Sequence, residues 1–226
     1  MTQSVPVRAM MESRPRPRFS SLIGRRTAHL AIDLQVGFLE RGSPFEVAAA
    51  RAIVPAVNRV SAALRAAGGL NIFLRYTIDP DEPQRWTSYQ ELMPAAQRAL
   101  SAEAFRRGAP THALWPELDV GAGDLVMDKT RLSAFIPGTC DAQAVLAARG
   151  IDTLIISGCL TDGCCESTAR DAAQMSYRVF FPEDGNASWS EEGRQATLRT
   201  MSRMAFADVS PVDEMLALMA GTRDGA

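Results

Sequence analysis

From Thr27 onward the chain alternates short apolar runs with longer stretches of helical periodicity, a pattern that few folds accept. The runs at 28–32, 70–76, 124–128, 153–157, 177–181 and 206–209 have strand length, and 153–157 is nearly pure Leu and Ile. Between them, 47–67, 139–149, 163–176 and 189–204 space their apolar residues as helices do, with a last helix over 211–220. Gly68-Gly69 and Gly150 stand where two of these helices must stop. Strands alternating with helices predict βαβ units and a mostly parallel sheet covered on both faces. The expected fold is therefore α/β: a three-layer α/β/α, Rossmann-like, doubly wound sheet of six strands. The segment 77–123, rich in Pro, Trp and Tyr, interrupts the alternation and is expected to hold one helix near 88–105.

One domain accounts for this pattern, spanning 27–220 and followed by a short tail at 221–226. The stretch 1–26 is of another kind: Arg14-Pro15-Arg16-Pro17-Arg18, few acids and no periodicity. It reads either as a leader without structure of its own or as an arm packing on a neighbouring subunit.

Bulk properties remove several function classes. A formal net charge of −2 provides no field for nucleic acid or an anionic membrane. No apolar run approaches transmembrane length, and no signal-like apolar region follows Met1, so the expected location is cytoplasmic. Cys140, Cys159, Cys164 and Cys165 lack C-x-x-C spacing, and a reducing compartment suits them. Only His29 and His112 are present, neither with a second ligand at metal-site spacing, so no metal or cofactor is expected.

Ligands of a doubly wound sheet bind beyond the carboxyl ends of the strands, near the reversal in strand order. Asp33, Lys129 and Cys164 lie at or just past such ends. A carboxylate closing a buried strand is rare without a partner; it serves as a general base or as a cap or ion-pair member. Lys129 is the only lysine in the chain, every other basic side chain being arginine, which suggests a role arginine cannot fill. Cys164 precedes a helix, whose N-terminal dipole and free N–H groups lower a thiol pKa and stabilise an oxyanion. Cys164 and Cys165 read equally well as small core residues, and Cys165, sharing a face with Ala169 and Ala172, is the better buried candidate.

Three blocks then carry a resemblance. Residues 31–38 (AIDLQVGF), 128–135 (DKTRLSAF) and 158–164 (GCLTDGC) followed by STARDA at 167–172 resemble, in order, the signature blocks of the isochorismatase-like cysteine hydrolases. The resemblance runs over about 27–209. It implies an Asp33–Lys129–Cys164 triad in which the thiolate attacks an amide or ureido carbonyl and a thioester is then hydrolysed. It also implies a cis peptide at Leu160–Thr161 and an oxyanion site built from backbone N–H groups among Leu160, Thr161 and Cys164. The segment after the second strand, Tyr76-Thr-Ile-Asp-Pro-Asp-Glu, lacks the histidines of the metal-dependent nicotinamidases of that family. Cys164 argues against isochorismatase chemistry proper. What remains is the metal-free amidohydrolase branch, similar to the N-carbamoylsarcosine, ureidoacrylate, biuret and maleamate hydrolases. Its implied partners are a small amide or ureido substrate and further copies of the chain, as dimer or tetramer.

Substrate walls are expected from Gln35 and Phe38, from the segment 75–89 with Trp86 and Tyr89, and from Phe135, with Arg85 as a carboxylate clamp. Arg131 and Arg170 are read as braces paired to acidic neighbours. Two other functions stay in view: a non-catalytic or redox-responsive relative, and a dinucleotide-binding oxidoreductase. The second lacks a G-x-G-x-x-G after the first strand.

Overall fold

The structure is a computed structural model that describes residues 18–81 and 86–221. The expected tail residues 1–17 and 222–226, and Arg85, lie outside the described residues.

Seven parallel strands form the sheet: β1 (Thr27–Ile32), β2 (Leu70–Tyr76), β3 (Leu125–Lys129), β4 (Thr153–Cys159), β5 (Arg178–Pro182), β6 (Asn186–Ala187) and β7 (Asp208–Ser210). Their order is β3-β2-β1-β4-β5-β7, and β6 pairs with β4 at Gly158 and Cys159, beyond the reach of β5. The expected six strands become seven because β6 is two residues long and carries no periodicity. The chain winds outward from β1 to β3, then returns to lay β4 on the other side of β1. The reversal therefore falls between the carboxyl ends of β1 and β4.

Helices α1 (Val36–Leu39), α2 (Ala50–Ala66), α3 (Thr87–Leu92), α4 (Ala95–Ala104), α5 (Ala142–Ala148), α6 (Glu166–Gln174), α7 (Glu191–Arg203) and α8 (Val212–Gly221) complete the layers. Strand alternation assigns the faces. Leu30, Ile32, Leu154 and Ile156 point to a core shared with α5, α6 and α7 through Leu146, Ala169 and Met201. Ala31 and Phe73 meet α1 and α2 on the other face, where Ile155 and Phe180 meet α2 and α8. The single helix expected near 88–105 is two, because Pro94 between them has no N–H to continue the first. Residues ahead of Thr27 also pack on the domain: Leu22 is fully buried and Phe19 packs on Phe180 with ring centroids 5.3 Å apart. No helix among the described residues is long and apolar enough to cross a membrane.

β4 approaches β1 closely at the reversal. Gly158 has φ +126°, and a Cβ there would lie 2.1 Å from the carbonyl oxygen of Ile32, so only glycine fits. Below it, a buried polar strip crosses the core. His29 hydrogen-bonds Ser61 Oγ at 3.1 Å and Ser157 Oγ at 2.6 Å and is fully buried. Burial holds the imidazole neutral, pushing its pKa down to about 3 against a small opposing pull from Asp124.

This depression fixes the sign of a stability effect. The unfolded chain binds a proton at His29 below about pH 6.5 and the folded chain does not until about pH 3. The stabilisation is thus complete above pH 6.5 and lost as pH falls from 6.5 toward 3. Denaturant titrations between pH 6.5 and 5 should show wild-type stability falling by roughly 1 kcal/mol per unit, a slope that His29→Gln should largely remove.

Candidate active site

Three elements deliver the three residues. β1 ends at Ile32, and Asp33 turns the chain with φ +55°, a left-handed conformation that Asp tolerates better than most residues. Its N–H donates to Leu74 O (2.9 Å) and its carbonyl accepts from Cys159 Sγ (3.2 Å), fixing it between β2 and β4. Lys129 closes β3 and reaches past the end of β2, so that Nζ lies 2.8 Å from Asp33 Oδ2. Both side chains are fully buried. Nζ also donates to Arg131 O at 3.1 Å and stands 5.3 Å from the centroid of the Tyr76 ring. Asp33 Oδ1 has no hydrogen-bond partner of the ordinary kind.

Cys164 comes from a π-helical turn, Thr161–Cys165, that leads into α6. Its thiol interacts with both the Asp33 carboxylate and the Lys129 ammonium. It is 6 % exposed where Cys159 and Cys165 are 0 %, which separates it from its neighbours. A depressed thiol pKa was expected from the helix end. The structure corrects this: burial, then the Asp33 charge, push the thiol well up, and Lys129 offsets only part of it. Burial also raises Asp33, against the pull of Lys129. For Lys129 itself burial acts downward, but Asp33 and Cys164 more than offset it and keep the ammonium charged. The resting site is a carboxylate–ammonium pair beside a neutral thiol.

The cis peptide is Cys159–Leu160, one residue earlier than expected, because β4 ends at Cys159 and the π-turn starts at Thr161. Leu160 O accepts from the N–H groups of Gly163 and Cys165.

A cavity of about 510 Å³ opens beside Tyr76, roofed by α3 and α4. Trp86 and Tyr89 line it as a stacked pair, 3.9 Å apart and 13° from parallel. Asp33, Lys129 and Cys164 do not themselves line it; the cavity adjoins them through Tyr76, whose ring lies 5.3 Å from Lys129 Nζ, and through Arg131, whose carbonyl accepts from that Nζ at 3.1 Å. The other expected wall residues lie elsewhere. Gln35 is fully buried, its carboxamide taken up by Tyr76 N–H (2.7 Å), Tyr76 O (3.1 Å) and His112 O (3.0 Å). Phe38 stacks on Phe105, and Phe135 packs in the core near Tyr177. Aromatic and amide residues near strand ends served packing as readily as a ligand, and the sequence did not separate the two.

Arg131, expected as a brace, lines the cavity: Nη1 donates to Thr130 O and its guanidinium lies 5.4 Å from the Trp86 ring. Arg170 does pair with Glu166 at 2.6 Å. Tyr76, Gln90 and Arg98 also line the cavity. Tyr76 falls in the expected 75–89 segment; Gln90 and Arg98 were not foreseen, because α3 and α4 bury almost nothing and carry no pattern to read. Among the described residues, no three His, Cys, Asp or Glu side chains stand where they could hold a metal.

Comparison with known proteins agrees with this geometry. The isochorismatase domain profile matches residues 27–214. The chain is 28% identical to ureidoacrylate amidohydrolase RutB of Variovorax paradoxus, over 93% of this chain and 87% of that one. It is 30% identical to N-carbamoylsarcosine amidase of an Arthrobacter species, over 71% and 59% respectively. The crystal structure of a cysteine hydrolase from Pseudomonas syringae pv. phaseolicola superposes with a TM-score of 0.83 at 25% identity, over 93% of this chain and all of the other. That profile covers most of the chain, including Asp33, Lys129 and Cys164, and the chain belongs to the isochorismatase family.

Proposed function

We propose that the chain hydrolyses a C–N bond of a small amide, carbamoyl or ureido compound through a thioester on Cys164. The enzyme class, an amidohydrolase of non-peptide C–N bonds, is that of its curated relatives. One observation carries the mechanism: a fully buried Asp33–Lys129 pair that keeps one carboxylate oxygen without a partner and interacts with a neutral thiol.

With substrate stacked near Trp86 and Tyr89, the Cys164 proton passes to Asp33 and the thiolate attacks the carbonyl carbon. Lys129 offsets the charge of thiolate and carboxylate together. Oxygen charge developing on the substrate is met by backbone N–H groups of the turn that carries Leu160, Thr161 and Cys164. The C–N bond breaks as Asp33 returns the proton to the leaving nitrogen, giving ammonia or an amine. Asp33 then takes a proton from water, the hydroxide cleaves the thioester, and the thiol is restored. A resting neutral thiol protects the nucleophile from oxidants until substrate arrives. Four free cysteines suit a cytoplasmic setting.

Ammonia release across carbamoyl and ureido acids, biuret, maleamate and simple amides identifies the substrate, and no turnover of any would sink the reading in favour of a redox-responsive protein. On the substrate so found, Cys164→Ala should lower kcat by more than about 10⁴-fold, while Cys165→Ala should retain most of it. Asp33→Asn should cost about 10²–10⁴-fold, with circular dichroism checking that the fold survives. Lys129 favours the ionised Asp33, so Lys129→Met should move the acidic limb of kcat/KM to higher pH. An unmoved limb would remove Asp33 from the role of base.

A further inference from the structure

A second, larger concavity lies away from the catalytic cavity, at the carboxyl edge of β5 and β6. It measures about 890 Å³ and runs between the N-terminal ends of α2 and α7. Glu46, Glu183, Asp184, Glu191 and Arg194 line it; Glu46 pairs with Arg51 and Glu191 with Arg194, so the acids outnumber the cations by two. On its rim Trp189 is 58% exposed, its indole N–H anchored on Glu46 O at 3.2 Å. In its floor Asn186 is 2% exposed and gives Nδ2 to Ile156 O and Pro182 O, while Oδ1 has no partner. An acidic groove with an exposed indole and an unused buried acceptor is suited to guanidinium groups.

The chain itself leads there. Read backwards, Ser21 O accepts from Arg178 at the start of β5, and Phe19 packs on Phe180 two residues further along. Arg18 then pairs with Asp208 (3.0 Å) and Glu214 (2.8 Å). The path rises along β5 from Arg178 to Phe180 and then crosses at the level of Phe180 to Asp208 of β7 and Glu214 of α8, the helix whose first residue, Val212, donates its N–H to Asp184 of the groove. The preceding residues are Arg14-Pro15-Arg16-Pro17, with Arg8 further upstream and Glu12 the one acid among 1–17.

We propose that the arginine–proline segment upstream of Arg18 docks in this groove of its own chain. Arg14 and Arg16 supply the guanidinium groups that the carboxylates take. The groove wall is continuous with the nucleophile turn, since Ser188 hydrogen-bonds Asp162 of that turn. A docked arm thus backs the wall that positions Cys164.

The test uses the full chain. The acrylamide quenching of Trp189 is isolated by subtracting a Trp189→Phe counterpart from each protein. Arg14→Gln/Arg16→Gln should raise the Trp189 quenching constant at least about twofold, as should about 0.5 M NaCl, which screens such pairs. Arg16→Glu alone should expose Trp189 and Arg16→Glu with Glu183→Lys should restore its protection. Unchanged quenching in the double Gln variant overturns the proposal, and so does failure of the charge swap to rescue. Light scattering run in parallel decides the occupant: protection lost on dilution together with a halved mass would assign the groove to a neighbouring copy's arm and overturn docking within the chain.

Discussion

The site depends on a buried ion pair that has no water to fall back on. Asp33 and Lys129 are both fully buried, and removing either leaves a lone charge in the core at a cost of about 3–5 kcal/mol. That is a large part of the roughly 5–15 kcal/mol by which a domain of this kind stays folded. The pair therefore ties the ends of β1 and β3 together across β2, and the same contact holds the carboxylate that the proposed reaction uses as its base. The thiol is the third member, and its neutrality keeps the cluster at zero net charge in the resting state.

The surrounding backbone serves this pair. Gly158 lets β4 lie against Ile32, which brings the cis Cys159–Leu160 junction and the π-turn over Asp33. Gln35 joins the end of β2 to the 110–112 turn through three backbone hydrogen bonds, which hold Tyr76 where it borders the cavity.

Legibility followed periodicity. The long helices and the six principal strands could be read because each buries a face, and burial imposes a repeat. β6 and the α3–α4 break could not, since two residues or an exposed helix pair impose none. Asp33 and Lys129 were legible because a charge at the end of an apolar run is costly unless it has a purpose. Cys164 was separable from Cys165 only with the three signature blocks, and its pKa was misjudged: a helix end argues one way, burial the other, and only coordinates say how much water remains. Phe38 and Phe135 failed for the same reason, because an aromatic ring looks alike in a core and in a pocket.

The solitary lysine has a consequence outside catalysis. Apart from the chain's α-amino group, every side-chain amine this protein owns is sealed beneath Tyr76 and Asp33. Amine-directed reagents, acetylating enzymes and ubiquitin-conjugating machinery all require an accessible ε-amine, and the folded molecule offers none. Acylation of Lys129 can proceed only when the upper edge of the sheet opens, so its rate counts openings. The residue that organises the site is also a built-in gauge of how often the site comes apart.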